Sequence, residues 1–319
     1  MTKELIKGMT REEWLQVRKT GIGGSDAAAV MGMNPYKSPL SVYVDKTMAD
    51  LPEETVNIAM ECGIAFEGFV AEKFCQQTGK KVLRSNYMYR SGENPFMLAN
   101  IDRMIVGEKA LLECKTTSIF NPIKFSCGDI PPTYYWQCQH YLAVTGYDVC
   151  YLAILVLSKD FHVFTIPRNE EHINMLIDEE RTFWNEHVLK GIPPLPIGLE
   201  ADDDAIRQMT GDVDNENVAL LDGDEHVVRA LAELPGLKTA AEESEQRLNQ
   251  AKQIIRQAMG EYACATCTDW DITYKEQQSR RIDSKALQAA MPDIYQRFSK
   301  VSTSRVLRVK HIDEQRKGA

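Results

Sequence analysis

Residues 99–118, "ANIDRMIVGEKALLECKTTS", decide how this chain is read. The pattern is that of two short β-strands joined by a turn. Yet Asp102, Glu113 and Lys115 stand where strands bury apolar side chains, and ionised groups are costly to bury without partners. Side chains alternate along a strand, so Glu113 and Lys115 project from one face while Leu112 and Cys114 project from the other. A hairpin sets Asp102, at the start of the first strand pattern, beside Glu113. Two converging carboxylates with a backbone carbonyl between them make an oxygen-rich nest suited to Mg²⁺, which takes hard ligands and keeps several waters. Lys115 is then placed to orient or deprotonate one of those waters.

Further elements surround this hairpin. Upstream, "REEWLQVRK" and "SPLSVYVDKTM" read as short helices, and "NIAMECGIAFEGFVAEKFCQQTG" as a longer one that stops at Gly79. "KVLRSNYMYR" and "MLANIDRMIV" read as strands, as do "DVCYLAILVLS" and "DFHVFTIP"; "TYYWQCQHYLAVTG" lies between as a helix. A helix from about Glu170 to Leu189 closes the unit. The result is an α/β domain built on a central mixed β-sheet flanked by helices. Glu67 shares a helical stripe with apolar Val70 and Phe74, and Gly63 one turn back leaves space around it; a lone glutamate there needs a partner. Gln137 falls on one stripe with Tyr134, Tyr141 and Val144.

The chain has 319 residues, 44% hydrophobic and 26% charged, enough for one substantial core and an appendage. Prolines 193, 194 and 196 and the acidic, periodless stretch after them place the first domain at 1–195, an acidic linker at 196–224, and a C-terminal helical and hairpin region at 225–319. In that last region Leu237, Ala241, Ser244, Leu248, Ala251 and Ile255 repeat with 4,3 spacing. They form a short amphipathic or coiled-coil seam after a break at Pro235 and Gly236. "TDWDITYKEQQSRRID" and "STSRVLRVK" read as strand-like hairpin material around the helix "SKALQAAMPDIYQRF". No signal-peptide order and no apolar run near the roughly 18 residues of a membrane span occur, so a cytoplasmic location is expected. Cys62, Cys75, Cys114, Cys127, Cys138 and Cys150 lie among apolar neighbours and read as reduced, mostly buried thiols. The net charge of −9 excludes a surface that grips polyanions everywhere, though not a local basic channel.

Taken singly, each charged residue of the hairpin fits a surface ion pair or a turn cap. Their order is more specific: Glu, then Asp, then Glu-x-Lys on a strand, then Gln-x-x-x-Tyr on a helix. That order resembles the PD-(D/E)xK nuclease signature, with Asp102 as first acid, Glu113 and Lys115 as the E-x-K, and Gln137 to Tyr141 as the element of the RecB-like branch. Trp14, Arg18, Gly21 and Ser25, Glu67 in "IAFEGF" and "YYWQCQHYLAVTG" extend the resemblance to phage recombination exonucleases of the YqaJ and lambda-exonuclease type, over residues 11–190. It implies a restriction-endonuclease-like core and a Mg²⁺-dependent 5′→3′ exonuclease acting on linear double-stranded DNA, with Mn²⁺ able to substitute. Asp102, Glu113 and the Cys114 carbonyl would hold two ions, with Glu67 reaching them directly or through water. Lys115 would act on the attacking water and Gln137 would help hold the site. It also implies a ring-shaped homotrimer, a single-strand annealing protein as partner, and a phage or prophage origin in a bacterial cell.

"RKTGIGGSDAAAVMG" is not a dinucleotide fingerprint, since Asp26 occupies the third glycine position and no strand precedes it. A glycine-rich turn with Ser25 as helix N-cap exposes backbone N–H groups to an anion. With Arg18, it is the candidate pocket for a terminal 5′-phosphate. Cys264 and Cys267 form a lone C-x-x-C without companions for a cluster. An endonuclease of the same fold and a catalytically silent DNA-end-binding scaffold are the competing readings.

Overall fold

A computed structural model describes residues 1–48, 57–121, 123, 125–211, 216–301 and 305–310. The chain divides into two compact units, Met1–Glu216 and Asn217–Ala319. The first contains β1 (Thr2–Leu5), α1 (Arg11–Lys19), β2 (Ile22–Gly23), α2 (Gly24–Val30), α3 (Pro39–Thr47), α4 (Ile58–Thr78), β3 (Val82–Arg84), β4 (Tyr87–Arg90), β5 (Met97–Ala99), β6 (Arg103–Ile105) and β7 (Ala110–Thr117). There follow α5 (Pro132–Thr145), β8 (Val149–Val156), β9 (Asp160–Pro167), α6 (Glu170–Thr182), which continues as a π-helical turn over Phe183–Val188, and α7 (Glu200–Thr210).

Local chemistry sets the helix limits. The Thr10 hydroxyl and the Glu13 carboxylate cap each other's backbone at the start of α1, and Asn57 accepts the Met60 N–H at the start of α4. Gly79 and Gly146 close α4 and α5 at φ +72 and +68, the left-handed conformation that glycine adopts without penalty.

Five strands in the order β3-β6-β7-β8-β9 form the main sheet, antiparallel except for the parallel pair β7 and β8. β8 reads as a nearly continuous apolar run because both its faces are covered. Cys150, Leu152 and Ile154 pack under α5 together with Leu111, whereas Ala153 and Leu112 pack on Val70 and Phe74 of α4. The crossover from β7 to β8 passes through α5, which therefore lies over the face carrying Glu113 and Lys115. His140 of α5, completely buried, bridges Glu180 of α6 at 2.7 Å and the Leu98 carbonyl at 2.9 Å, fixing the helix over the sheet.

Several sequence expectations change. "KVLRSNYMYR" and "MLANIDRMIV" are each split: β3 and β6 belong to the main sheet, β4 and β5 to a second sheet ordered β1-β4-β5-β2. Asp102 thus lies in the break between β5 and β6 rather than in a strand. Ile22 and Gly23 form a two-residue strand parallel to β5, so a short strand does precede α2. Gly23, not Ser25, occupies the N-cap of α2, and its N–H is taken by Asp26 Oδ2 at 3.2 Å. The acidic stretch expected as linker contains α7, which is capped by Asp202 through the backbone N–H groups of Ile197, Gly198 and Leu199 and packs Ala205 into the core around α3. Its amphipathic period was hidden by the density of aspartates. All eight cysteines are free, but only Cys138 and Cys150 are buried; Cys62, Cys75 and Cys114 are half-buried and Cys127 is exposed.

The second unit comprises α8 (Glu225–Met259), β10 (Cys264–Cys267), β11 (Trp270–Thr273), α9 (Ser284–Ala290) and α10 (Pro292–Phe298). α8 runs through Pro235, where a break was expected, because Asp224 caps the helix well upstream and accepts the N–H groups of His226 and Val227. A proline inside a helix removes one hydrogen bond and kinks it without necessarily ending it. β10 and β11 pair as an antiparallel hairpin, while residues 274–283 and 305–310 have no regular structure and the rest of "STSRVLRVK", residues 302–304, lies outside the described residues. Cys264 and Cys267, three apart on one strand, face opposite sides, which removes the C-x-x-C as a joint ligand set. No helix among the described residues is long and apolar enough to cross a membrane.

A methyl group on Gly24 would collide with the buried ring of Tyr141, so α2 reaches α5 only because this residue lacks a Cβ. Gly24→Ala is expected to cost about 1–3 kcal/mol by overpacking, read as a lower urea midpoint with unchanged slope.

Candidate active site

β6 and β7 pair with Arg103 opposite Leu112, so the next step of the ladder faces Asp102 towards Glu113. Freed from the pleat by the break before β6, the Asp102 carboxylate turns onto β7 and accepts the Cys114 N–H at 2.8 Å. Glu113, 3% exposed, and Lys115 emerge two residues apart from one face of β7, their charged groups 2.7 Å apart. α5 supplies the group that holds both. The Gln137 side chain accepts from Lys115 Nζ at 2.9 Å, and its amide nitrogen contacts Glu113 Oε1 at 2.7 Å and the Tyr141 hydroxyl at 3.0 Å. A four-residue step along one helix face places Gln137 and Tyr141 together. Lys115 also lies over the Tyr134 ring, 5.3 Å from its centre.

Burial, then the negative charge of Glu113, holds the Asp102 carboxyl well above the usual carboxylate range. Burial works against the Lys115 ammonium, but Glu113 and then Asp102 more than offset it and raise its pKa. Burial also pushes the Tyr141 phenol well up, with Glu113 and Asp102 adding to the effect. Glu113 Oε2 is buried with no hydrogen-bond partner, an uncommon state for a carboxylate oxygen.

Glu67 stands apart from this cluster. Its carboxylate is paired with Arg103, whose guanidinium also donates to the Asp102 carbonyl at 2.8 Å. Glu67 is near enough to add to the field that raises Asp102. Arg103 is the partner that a glutamate on an apolar stripe required; its place directly after Asp102 was the available signal. Among the described residues no three His, Cys, Asp or Glu side chains are gathered as a ready cation site. The donor set nonetheless fits a hard cation: two carboxylates converge, one holds a buried unpaired oxygen, and the other is kept from full charge by its neighbour.

The glycine-rich turn forms a second cluster. Arg18 donates to Ser25 Oγ at 2.8 Å and to Asp26 Oδ2 at 3.1 Å, and stacks against Trp14. Asp26, 1% exposed, also binds Lys37 at 2.9 Å and Lys46 at 2.8 Å. Burial opposes its charge, but Lys37, Lys46 and Arg18 hold its carboxyl well below the usual range. Sequence reasoning found Arg18 and Ser25 and missed this hub; a lone acid beside a run of alanines was the clue. Lys37 also pairs with Asp45 at 2.6 Å, so three cations face two carboxylates and leave one positive charge in excess.

The E-x-K on a central strand, the acid in the break just before the preceding strand and the glutamine on the crossover helix are arranged as in the PD-(D/E)xK signature. A family model described as the YqaJ-like viral recombinase domain matches residues 13–148. The uncharacterized protein YqaJ of Bacillus subtilis is 34% identical over 308 residues, 95% of each chain, so the likeness takes in the second unit as well. The chain belongs to the YqaJ family. A 71-residue stretch is 39% identical to Protein D345L of African swine fever virus, covering 21% of this chain and 20% of that one. Among solved structures, the alkaline exonuclease LHK-Exo of Laribacter hongkongensis matches 57% of this chain and 94% of its own, with a TM-score of 0.48 and 21% identity. A phage-related exonuclease of Haemophilus somnus matches 56% and 99%, with a TM-score of 0.41 and 12% identity.

A carboxyl whose folded pKa lies above its unfolded value costs stability increasingly as pH rises through that window. In a metal chelator, Asp102→Asn is therefore expected to gain thermal stability relative to wild type as pH is raised from about 4 to 8. A gap that stays constant or narrows over that range contradicts the buried acid pair.

Proposed function

We propose that this chain is a divalent-metal-dependent exonuclease that degrades one strand of linear duplex DNA from the 5′ end. The exposed 3′ strand would pass to a single-strand annealing protein. The observation that carries the reading is the buried Asp102, Glu113, Lys115 and Gln137 cluster with its unpaired Glu113 oxygen. Membership of a family described by a viral recombinase domain supports the recombination role.

Asp102, Glu113 and the Cys114 carbonyl would hold Mg²⁺, or Mn²⁺ in its place, as a pair of ions with Glu67 as an outer carboxylate. When bound, such ions neutralise charge on the phosphodiester and favour hydroxide over water. Oxygen ligands suit these hard cations. Burial opposes the Lys115 ammonium, but Glu113 and Asp102 raise its pKa in the metal-free site; it would orient or deprotonate the attacking water. Gln137 keeps that ammonium and Glu113 in register, and Tyr141 supports Gln137 from one turn away. Arg18 and Ser25, in a cluster with one positive charge in excess, would receive the terminal 5′-phosphate. A terminal phosphate carries more charge than an internal diester and gains more from a guanidinium. Assembly as a ring-shaped trimer belongs to the same proposal and follows from the resemblance to lambda-type exonucleases.

Linear duplex labelled at each end in turn tests direction, and closed circular DNA separates the exonuclease from an endonuclease, because fold and metal site do not fix where a strand is cut. Release from the 5′ label first, with the circle intact, is expected; nicking of the circle refutes the proposal. Glu113→Gln is expected to abolish cleavage at saturating Mg²⁺ with the fold retained. Lys115→Ala should lower the single-turnover rate about 10²–10⁴-fold.

Arg18→Ala should slow digestion of 5′-phosphorylated duplex much more than that of 5′-hydroxyl duplex at fixed salt, since phosphate contacts are screened. Equal slowing of both substrates would displace the phosphate pocket from this turn.

A further inference from the structure

α8 runs unbroken from Glu225 to Met259, and Met259 is its only buried side chain. Continuity through Pro235 lengthens the apolar seam. The 3,4 spacing begins at Val227, continues through Ala230 and Leu234, and ends at Ala258, five heptads in all. Pro235 and Gly236 fall at outward positions and do not interrupt it. Leu237 and Leu248 are 62% and 54% exposed, so a wide apolar stripe lies open along a helix whose opposite face, from Glu242 onward, is polar.

We propose that α8 pairs antiparallel with α8 of a second copy of this chain, about a two-fold axis between Glu242 and Glu243. The seam is complementary to its own reverse. About that axis Ala241 faces the partner's Ser244 and Leu237 faces the partner's Leu248. Farther out, Leu234 faces the partner's Ala251, Ala230 the partner's Ile255, and Val227 the partner's Ala258. Large residues meet small ones in the outer layers, and of ten layers only the two central ones are small on both sides. A parallel pair sets each residue against itself, so the layers at Ala230, Ala241, Ser244, Ala251 and Ala258 would all be small on small, leaving voids that destabilise a core.

Charges flanking the seam favour the same orientation. Antiparallel pairing sets Lys238 beside the partner's Glu245, twice by symmetry. Parallel pairing sets Glu233 beside the partner's Lys238 but also Arg247 beside the partner's Lys252, so its one attractive contact is offset by a like-charge one, whereas the antiparallel pair carries only the attractive contact; such flanking positions set partner choice and orientation in coiled coils. The contact is isologous, as two-fold interfaces are, and closes on itself. It does not depend on the nuclease reading, nor on how the first unit assembles.

Light scattering on the full chain over a range of protein concentration tests the pairing. Leu248→Glu is expected to halve the assembly mass, whether single chains or larger assemblies are joined through α8. Leu248→Ala, which keeps helix propensity, should raise the concentration at which that halving occurs. Glu245→Lys should weaken association several-fold, and Lys238→Glu combined with Glu245→Lys should restore it, because the pair is exchanged across the axis. A wild-type mass already at the halved value, or no change in Leu248→Glu, overturns the interface. An inert Glu245→Lys, or a double variant no better than either single one, overturns the antiparallel orientation. An unchanged far-ultraviolet circular dichroism spectrum reports that the fold is intact in every variant.

Discussion

The hydrogen bonds from one glutamine amide organise this protein. Gln137 bridges the ammonium of Lys115 and the carboxylate of Glu113, two opposite charges that a β-strand forces onto one buried face. Without it, the buried Glu113 Oε1 would keep only the lysine as a partner. The bridge requires that α5 lie over β7, and the parallel pairing of β7 with β8 makes α5 the crossover between them. His140 with Glu180, and Gly24 against Tyr141, then hold α5 at the correct height. The sheet topology, the close approach of two helices and a buried imidazole–carboxylate pair all converge on the position of one side chain.

The metal chemistry rests on what this network leaves unsatisfied. Glu113 Oε2 has no donor, and Asp102 is restrained from full ionisation by burial and by Glu113. In the proposed function both conditions would be relieved by a divalent cation, which would satisfy the orphan oxygen and remove the repulsion. Stability would then be given up in the metal-free protein to prepare a binding site, a pattern common at functional positions. The second cluster is built on the opposite balance. Asp26 there is saturated by three cations, one of them shared with Asp45, and the surplus is a single positive charge. An acid-rich cluster and a cation-rich one thus coexist in a chain whose net charge is −9.

Much of this was legible in the sequence, for identifiable reasons. Strand alternation places Glu113 and Lys115 on one face whatever the tertiary structure, and the four-residue step from Gln137 to Tyr141 does the same on a helix. What escaped were features set by long-range contact. The runs at 81–90 and 97–106 look like single strands, and only the crossing of two sheets splits them. Arg103 was hidden in a strand pattern, and its role depends on Glu67, 36 residues earlier. Asp26 looked like an ordinary first-turn acid, because nothing local announces that Lys37 and Lys46 return to it. α7 was masked by aspartates whose negative charges crowd its first turn. Pro235 was overweighted as a helix breaker against the cap that Asp224 supplies upstream.

The central claim is that Asp102 and Glu113 form an oxygen-lined site for divalent cations. Calorimetric titration of Mn²⁺ into the metal-free protein and into Glu113→Gln tests it most directly, without reference to DNA. Saturable binding of no more than two ions per chain in the wild type, lost or severely weakened in the variant, is the expected result. Equal binding by both proteins would contradict it.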